Sequence, residues 1–497
     1  MSVPRLCVSL TAASTAELRR KRDATAHADL IELRLDSVRD PDLQGALEGR
    51  ARPVIITCRP SWEGGTFRGT EEERKQILAG ALDAGAEYID VEWKAGFSDL
   101  VRRGGQRVVL STHDFQGVPA DLKDRVRAMR AERPGIVKAA VMARRLSDTL
   151  PLLELGSRVS DGRDDSVWVA MGMPGVVTRI LAARFGSCLT YAGEGVAPGQ
   201  IPPERLLNEF GFRGITADTA VYGVVGAPVA HSVSPAMHNA AFRAAGLDAV
   251  YVPFEAESVD DFERAAAALH IHGASVTLPF KVPFFERLTA SSHQDVVDPL
   301  SRRVGAVNTL WRTGDGWQGR NTDVAGFLAP LTDRVPLKGT RAAILGAGGA
   351  ARAVAVALVS AGARVTVYAR RVERAEEVAH PLAGDAQAFP PARGSWDLLV
   401  NATPVGMSPR IEETPWPNAT FDGRVVYDLV YSPVETRFMR EASAAGCLTI
   451  GGLDMLVAQA QEQDEWWTGV RPAAALLRDA ALRALRLSEA AEPIRTS

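Results

Sequence analysis

Eight short apolar runs rich in β-branched residues recur through about the first 215 positions, and this alternation with helical stretches limits the fold more than any other feature. The runs are Leu6–Leu10, Leu30–Leu35, Val54–Arg59, Tyr88–Trp93, Val108–His113, Ile136–Met142, Val167–Met171 and Cys188–Ala192. Stretches such as Leu122–Arg133 and Val176–Phe185 carry helical periodicity between them. Strands joined by crossovers of that length run parallel, and eight in succession predict a (β/α)8 barrel over residues 1–214. A doubly wound sheet would need a glycine-rich phosphate turn, and none occurs in this half.

The turn-rich stretch Gly211–Asp218 reads as a linker. Beyond it, runs at Val221–Gly226, Val250–Phe254, Ala274–Leu278 and Val307–Trp311 predict a second α/β domain over 219–334. A third unit, over 335–454, begins with a strand and glycine turn at Ala342–Arg352 and reads as a Rossmann domain. Helices over 455–490 are expected to return to the second domain. Three domains agree with the length of 497 residues.

The net charge of −3 gives no footprint for nucleic acid, and no apolar run reaches bilayer length. The first strand is expected almost at once, so no leader peptide is expected. Four scattered cysteines, Cys7, Cys58, Cys188 and Cys447, read as free thiols in a reducing compartment, so the cytoplasm is expected. No metal spacing is present; His270 and His272 read as structural, and no obligate protein partner is evident.

Of 57 basic residues only seven are lysines, so arginine serves wherever a generic positive charge suffices. Lysine is the cation that can lose its proton and act as base or nucleophile. Lys138 and Lys281 are the two in apolar contexts.

In a barrel the working residues lie at the C-terminal ends of the strands. Those ends carry Glu32 and Arg34, Arg59 with Glu63, His113-Asp114, and Lys138. Alternation places Ile136, Lys138 and Ala140 on one face, where desolvation is expected to lower the ammonium pKa and free the amine to attack a ketone. An iminium so formed acidifies the neighbouring carbon, whose proton a histidine can take. Singly, such a lysine is an ion-pair partner and such a His-Asp a local cap; the functional reading comes from their joint placement.

The segments Glu32-Leu-Arg34-Leu-Asp36, Arg59-Pro-Ser-Trp-Glu63-Gly-Gly, Ser111-Thr-His113-Asp-Phe115, Val137-Lys138-Ala and Ala197-Pro-Gly-Gln200 resemble type I 3-dehydroquinate dehydratase over roughly residues 1–212. The resemblance implies that Lys138 forms a Schiff base with the C3 ketone. It makes His113 the general base and then the general acid for loss of the C1 hydroxyl, supported by Glu63. Ser9, Glu32, Arg34, Arg59, Arg179 and Gln200 match positions that bind substrate hydroxyls and carboxylate. Val196 stands where the family has a serine in the loop closing over the substrate.

In the second half, Gly346-Ala-Gly348-Gly349-Ala350-Ala351 lies between strand and helix, where backbone N–H groups favour a pyrophosphate. The next strand, Val365–Ala369, ends in Arg370 and Arg371, with Arg374 one turn on. An acid there would accept from a ribose hydroxyl; arginines suit a 2′-phosphate, so NADP is the expected cofactor. Lys281 and Asp323 make a proton-transfer pair for an alcohol/ketone couple, or alternatively a structural ion pair. Ser232 and Ser234 could hold a carboxylate or cap the helix that starts there.

These segments resemble shikimate dehydrogenase over roughly 220–490. By that resemblance Lys281 and Asp323 are catalytic, and Ser232, Ser234, Thr277, Asn308, Tyr431 and Gln459 face substrate. Thr403 and Met407, in Asn401-Ala-Thr-Pro-Val-Gly-Met407, match the loop beside the nicotinamide. Val233 replaces a common lysine, Ser275 an asparagine, and Ala369-Arg370-Arg371 stands where Asn-Arg-Thr is usual. The combined expectation is a two-step enzyme that dehydrates 3-dehydroquinate and reduces the product with NADPH to shikimate. Two alternatives are a quinate-oxidising catabolic dehydrogenase fused to the dehydratase and a catalytically inactive ligand-sensing regulator. Retention of Lys138, His113, Lys281 and Asp323 argues against the second.

Overall fold

The computed structural model describes residues 3–157, 165–193, 195, 197–290, 296–314 and 316–491; Val196 lies outside the described residues. The strands of the first half are β1 Arg5–Thr11, β2 Leu30–Arg34, β3 Val54–Thr57, β4 Tyr88–Glu92, β5 Val108–Asp114, β6 Ile136–Met142, β7 Asp165–Met171 and β8 Leu189–Ala192. They form one sheet in the order β7-β6-β5-β4-β3-β2-β1-β8, parallel at each ladder. The β7–β8 seam has no regular ladder but is bridged by Cys188 N–H to Ser166 O at 2.8 Å and by Trp168 N–H to Ser187 Oγ at 3.0 Å. The sheet is thus a nearly closed barrel.

Cys7, Leu30, Ile55, Val109, Ile136, Val167 and Tyr191 fill the interior. Alternate residues such as Leu6, Ile31, Ile56 and Val137 are buried on the outer face. Burial on both faces is why these strands read as unbroken apolar runs. Arg59 and Trp93 fall just beyond their strands, and the expected helix Val176–Phe185 shortens to Val177–Ile180, because Leu181 leaves the helical region at ψ 33°.

The chain forms two compact units. One runs to Val221 and also takes in Asp248–His270, which comprises β10 (Ala249–Glu255) and the helix Val259–Ala268. Asp261 on that helix is fully buried, and its carboxylate accepts the backbone N–H groups of Leu146 (3.0 Å), Ser147 (2.9 Å) and Glu257 (3.0 Å). The first two open the turn that follows β6. Arg184 adds hydrogen bonds to the carbonyls of Ala217, Thr219 and Leu269.

The second unit holds Tyr222–Leu247 and continues from Ile271. In it β9 (Ala220–Gly226), β11 (Ile271–Val276), β12 (Thr309–Thr313) and β13 (Gly316–Arg320) lie side by side, the last three antiparallel. Then β14 Arg341–Leu345, β15 Arg364–Ala369, β16 Asp385–Ala388, β17 Leu398–Asn401, β18 Val425–Asp428 and β19 Leu448–Gly451 build a parallel sheet in the order β16-β15-β14-β17-β18-β19. This is the doubly wound dinucleotide-binding topology. The helices Gly452–Thr468 and Ala474–Ala491 pack with Ser234–Ala244, burying Val233, Met237, Leu453, Leu477 and Leu485 together. Val233 is therefore a core residue, which accounts for an apolar side chain there. Among the described residues no helix is long and apolar enough to cross a membrane.

Candidate active sites

The mouth of the barrel encloses a cavity of about 160 Å3 lined by Lys138, His113, Glu63, Arg59, Arg179 and Tyr191 among others. Lys138 points inward from the middle of β6 and is 5% exposed. Its surroundings are less apolar than its strand suggests. Nζ donates to Asp90 Oδ2 at 3.1 Å, lies 3.9 Å from Glu32 Oε1, and sits 4.0 Å over the Tyr191 ring centroid. Burial would raise the Asp90 carboxyl, but Arg59 and Lys138 overcome it and hold that carboxyl well below the usual range.

His113 Nδ1 lies 2.9 Å from Glu63 Oε2 and 3.3 Å from an Arg59 nitrogen. Burial, reinforced by Arg59 and Lys138, holds the imidazole well below its ordinary pKa. Burial also pushes the Glu63 carboxyl up to about 8, against the pull of Arg59. Both shifts disfavour charge, so near neutral pH the two groups share one proton and the imidazole is uncharged, as a base must be.

The other positions named from sequence divide by partner. Ser9 Oγ and Thr57 Oγ1 donate to Glu32 at 2.5 and 2.8 Å. Arg34 clasps Asp36 through two bonds of 2.7 and 2.8 Å. Arg59 meets Glu92 at 2.6 Å, Asp90 at 3.1 Å and Ser111 at 3.0 Å, so it is tied down beneath the cavity. Gln200 accepts the Ala197 N–H at 3.1 Å. Arg179 is different. It is 2% exposed and donates only to the carbonyls of Ala170 (2.7 Å) and Pro198 (3.2 Å), with no carboxylate partner among the described residues. Burial alone lowers it to about 10. A buried, uncompensated guanidinium at a cavity wall is a site for an anion.

Sequence reasoning missed Asp90 and Glu92. Both are fully buried on β4, two positions apart and hence on one face. Two acids on one face of an interior strand have to meet cations, and that alternation was the available signal.

In the second unit Lys281 opens the helix Lys281–Thr289 and Asp323 opens Asp323–Leu328; Nζ and Oδ2 are 2.6 Å apart. Asn308 Nδ2 donates to Asp323 Oδ1 at 2.8 Å and to Gln459 Oε1 at 3.4 Å. These four residues form one cluster. Ser232, Ser234, Thr277 and Tyr431 are not hydrogen-bonded to it; Ser232 Oγ accepts the Ser234 N–H at 3.3 Å and so also serves as a local cap.

The turn after β14 has Gly346 at φ +105°, where an added Cβ would lie 2.9 Å from Thr403 Cγ2. An added Cβ at Gly348 would meet nothing within 4 Å, and one at Gly349 only Lys281 Cδ at 3.9 Å. The N-terminus of the helix Gly349–Ser360, which includes Ala350, therefore opens onto free space facing Lys281, with no acid in its first turn. Arg370 and Arg371 follow β15, exposed and without ion pairs among the described residues, whereas Arg374 is engaged by Glu377 at 2.9 Å. The open turn and two unpaired arginines fit a dinucleotide carrying a 2′-phosphate. Thr403 is fixed by Asn401 Oδ1, which accepts its N–H (3.0 Å) and hydroxyl (2.6 Å); Met407 is exposed. Asn401 Nδ2 in turn donates to Asp428 at 2.8 Å.

Family models match four stretches: type I 3-dehydroquinase over residues 6–216, shikimate dehydrogenase substrate binding domain over 224–310, shikimate/quinate 5-dehydrogenase over 331–395, and shikimate 5′-dehydrogenase C-terminal domain over 452–482. The chloroplastic bifunctional 3-dehydroquinate dehydratase/shikimate dehydrogenase of Arabidopsis thaliana is 35% identical over 89% of this chain and 78% of its own. The shikimate dehydrogenase (NADP(+)) of Salinibacter ruber is 45% identical over 51% of this chain and 94% of its own. A crystal structure of a shikimate dehydrogenase in complex with NADP+ is 35% identical, covering 55% of this chain and 97% of that one, with a TM-score of 0.50. With family matches in both halves, and a relative 35% identical over 89% of this chain and 78% of its own length, the chain belongs to the family of bifunctional 3-dehydroquinate dehydratase/shikimate dehydrogenases.

Proposed function

We propose that this enzyme converts 3-dehydroquinate to shikimate in two steps, a dehydration in the barrel and an NADPH-dependent reduction in the second half. The observation that carries this reading is that one chain holds both a buried lysine in a cavity with a histidine whose charged form burial disfavours and a Lys–Asp pair facing a dinucleotide turn.

In the first step Lys138 releases a proton to solvent, and its amine adds to the C3 ketone with loss of water. The iminium draws electrons from the adjacent carbon, and His113 takes that carbon's proton, with Glu63 holding the ring. The pair of electrons left behind expels the C1 hydroxyl, to which His113 returns the proton, so that water leaves. Hydrolysis of the imine frees Lys138 and 3-dehydroshikimate. Arg179 supplies the counter-charge for the substrate carboxylate, while Ser9, Glu32, Arg34, Arg59 and Gln200 fix the hydroxyls.

In the second step Asn308 and Gln459 orient the substrate, with Ser232, Ser234, Thr277 and Tyr431 closing round it. NADPH, held by Gly346, Gly348, Gly349 and Ala350 at the helix N-terminus and by Arg370 and Arg371, supplies a hydride when bound. Lys281 and Asp323 deliver the proton to the carbonyl oxygen. The working divisions are 1–214 for the dehydratase, 219–334 with 455–490 for shikimate, and 335–454 for the cofactor. Four free cysteines support a cytoplasmic location.

The test is the purified chain with 3-dehydroquinate and NADPH and no other enzyme. Shikimate is expected, with NADPH consumed in equal amount; accumulation of 3-dehydroshikimate with NADPH untouched would refute the second activity.

A further inference from the structure

Behind the Lys281–Asp323 pair lies a row of polar side chains with no part in the proton transfer itself. Gln463, fully buried on the helix Gly452–Thr468, accepts the Ser275 hydroxyl on Oε1 at 2.8 Å. Its Nε2 donates to Thr309 Oγ1 at 3.0 Å and to the Asn308 carbonyl at 3.5 Å. Thr309 Oγ1 donates onward to Asn308 Oδ1 at 2.9 Å, an oxygen that also accepts the Thr322 N–H at 2.7 Å. With its oxygen so held, the Asn308 amide turns Nδ2 to Asp323 Oδ1 at 2.8 Å.

The direction of this relay follows from the donor inventory. A threonine hydroxyl has one hydrogen. Once Thr309 accepts from Gln463, that hydrogen is available for Asn308, and the carbonyl end of Asn308 faces away from Asp323. A group without hydrogens at position 463 would instead draw the Thr309 hydroxyl to itself. Asn308 would lose one of the donors that hold its amide, and the alternative amide orientation would set oxygen against the Asp323 carboxylate.

We propose that Gln463 is a positioning residue of the reduction: through Thr309 it fixes the Asn308 amide and so the aim of Asp323 at the substrate. The inference deepens the two-step reading above and rests on it. Ser275 belongs to the same device. It pairs across the antiparallel β11–β12 ladder with Thr309 and anchors the Gln463 amide by its acceptor end.

The test uses the full-length chain and reads 3-dehydroshikimate reduction, NADP+ affinity by titration, and dehydration as an internal control. Gln463→Glu keeps the shape and, assayed at a pH high enough to ionise this buried carboxyl, has no hydrogen to give, and Thr309→Val removes the relay hydroxyl with little change in volume. Each is expected to lower kcat/KM for 3-dehydroshikimate about tenfold or more, the effect of roughly 1.4 kcal/mol. NADP+ affinity and the dehydration rate are expected to stay within about twofold of the unaltered chain. Gln463→Ala with Thr309→Val is expected to be no worse than the poorer single variant, because both cut one relay. Ser275→Asn is expected to restore part of the loss in Gln463→Ala by returning an amide beside Thr309. Wild-type kinetics in Gln463→Glu, losses that multiply in the double variant, or NADP+ affinity falling in step with kcat/KM would each overturn the inference. If the unaltered chain reduced no 3-dehydroshikimate, the two-step reading would fall and this inference with it; an active parent with unaffected variants sinks the inference alone.

Discussion

Arg179 sets stability against function in a way that can be measured. Its guanidinium stays charged at neutral pH, yet burial has lowered it to about 10, well below the ordinary arginine value, with no carboxylate to offset the loss of water. At about 1.36 kcal/mol per unit, that shift corresponds to roughly 3 kcal/mol held against the folded state. The sign is clear: the folded pKa lies below the unfolded one, so the penalty is complete below pH 10 and is relieved only as pH rises above it. Arg179→Met removes the charge but orphans the carbonyls of Ala170 and Pro198, which takes back about 1–2 kcal/mol. The net expectation is a ligand-free barrel more stable by roughly 1–2 kcal/mol, or about 2–8 °C for a unit of this size. The same change deletes the partner of the substrate carboxylate, at roughly 1.5–3 kcal/mol for each charged bond, so KM for 3-dehydroquinate rises by about 100-fold or more. Thermal unfolding with and without 3-dehydroquinate, together with enone absorbance at varied substrate, reads both quantities. A variant that melts lower than its parent, or one that keeps its KM, would show that Arg179 is a structural cation and that the carboxylate binds elsewhere.

Borohydride added with 3-dehydroquinate is expected to inactivate dehydration and leave a reduced adduct on Lys138; an adduct at any other residue rules out the imine route. Asp323→Asn is expected to slow reduction by about 100-fold or more while dehydration proceeds near its original rate, and Lys138→Ala the reverse, both followed on the intact chain. Arg370→Ala with Arg371→Ala is expected to erase most of the preference for NADPH over NADH in kcat/KM, and a preference that survives places the 2′-phosphate elsewhere. Because burial depresses the folded pKa of His113, stability is expected to fall as pH drops below the ordinary histidine value near 6.5, by up to about 1.4 kcal/mol per pH unit. His113→Asn should flatten that part of the urea-unfolding profile, and an unchanged slope would mean that the imidazole is charged in the fold.

The barrel was legible because every strand is apolar on both faces, so Ile136–Met142 reads as a strand without any knowledge of its neighbours. The strand ends were less clear. Thr57 and Glu92 end β3 and β4 at polar residues whose partners, Glu32 and Arg59, come from other parts of the barrel, and no local pattern announces them. Lys138 and Lys281 stand out because a lysine-poor chain makes each lysine conspicuous, and His113 because it lies at a strand end, where a barrel keeps its working residues. Asp90 is marked only by its alternation with Glu92 on β4, and which cations it meets emerges when Lys138 and Arg59 are seen across the barrel. Arg374 illustrates the opposite case. Its engagement by Glu377 is an i,i+3 pairing visible in the sequence, but the motif drew attention only to its charge. Gln463 lay one helical turn beyond Gln459, and its role depends on donor directions that only the folded side chains display.

The burial of Asp261 has a genetic consequence. A break in the Gly211–Asp218 linker looks like the natural place to divide the gene into two cistrons, yet it would strand the Leu146 and Ser147 amides without their acceptor. Those amides begin the turn that follows β6, the strand that bears Lys138. A lesion at codon 261, far downstream of every dehydratase site residue, would therefore score as a dehydratase defect. Complementation between the two fragments would depend on both: the downstream piece would carry the Asp261 carboxylate that the upstream amides need, and the upstream piece the Arg184 guanidinium that the Thr219 and Leu269 carbonyls accept from. Allele maps of such a locus would not divide cleanly at the linker.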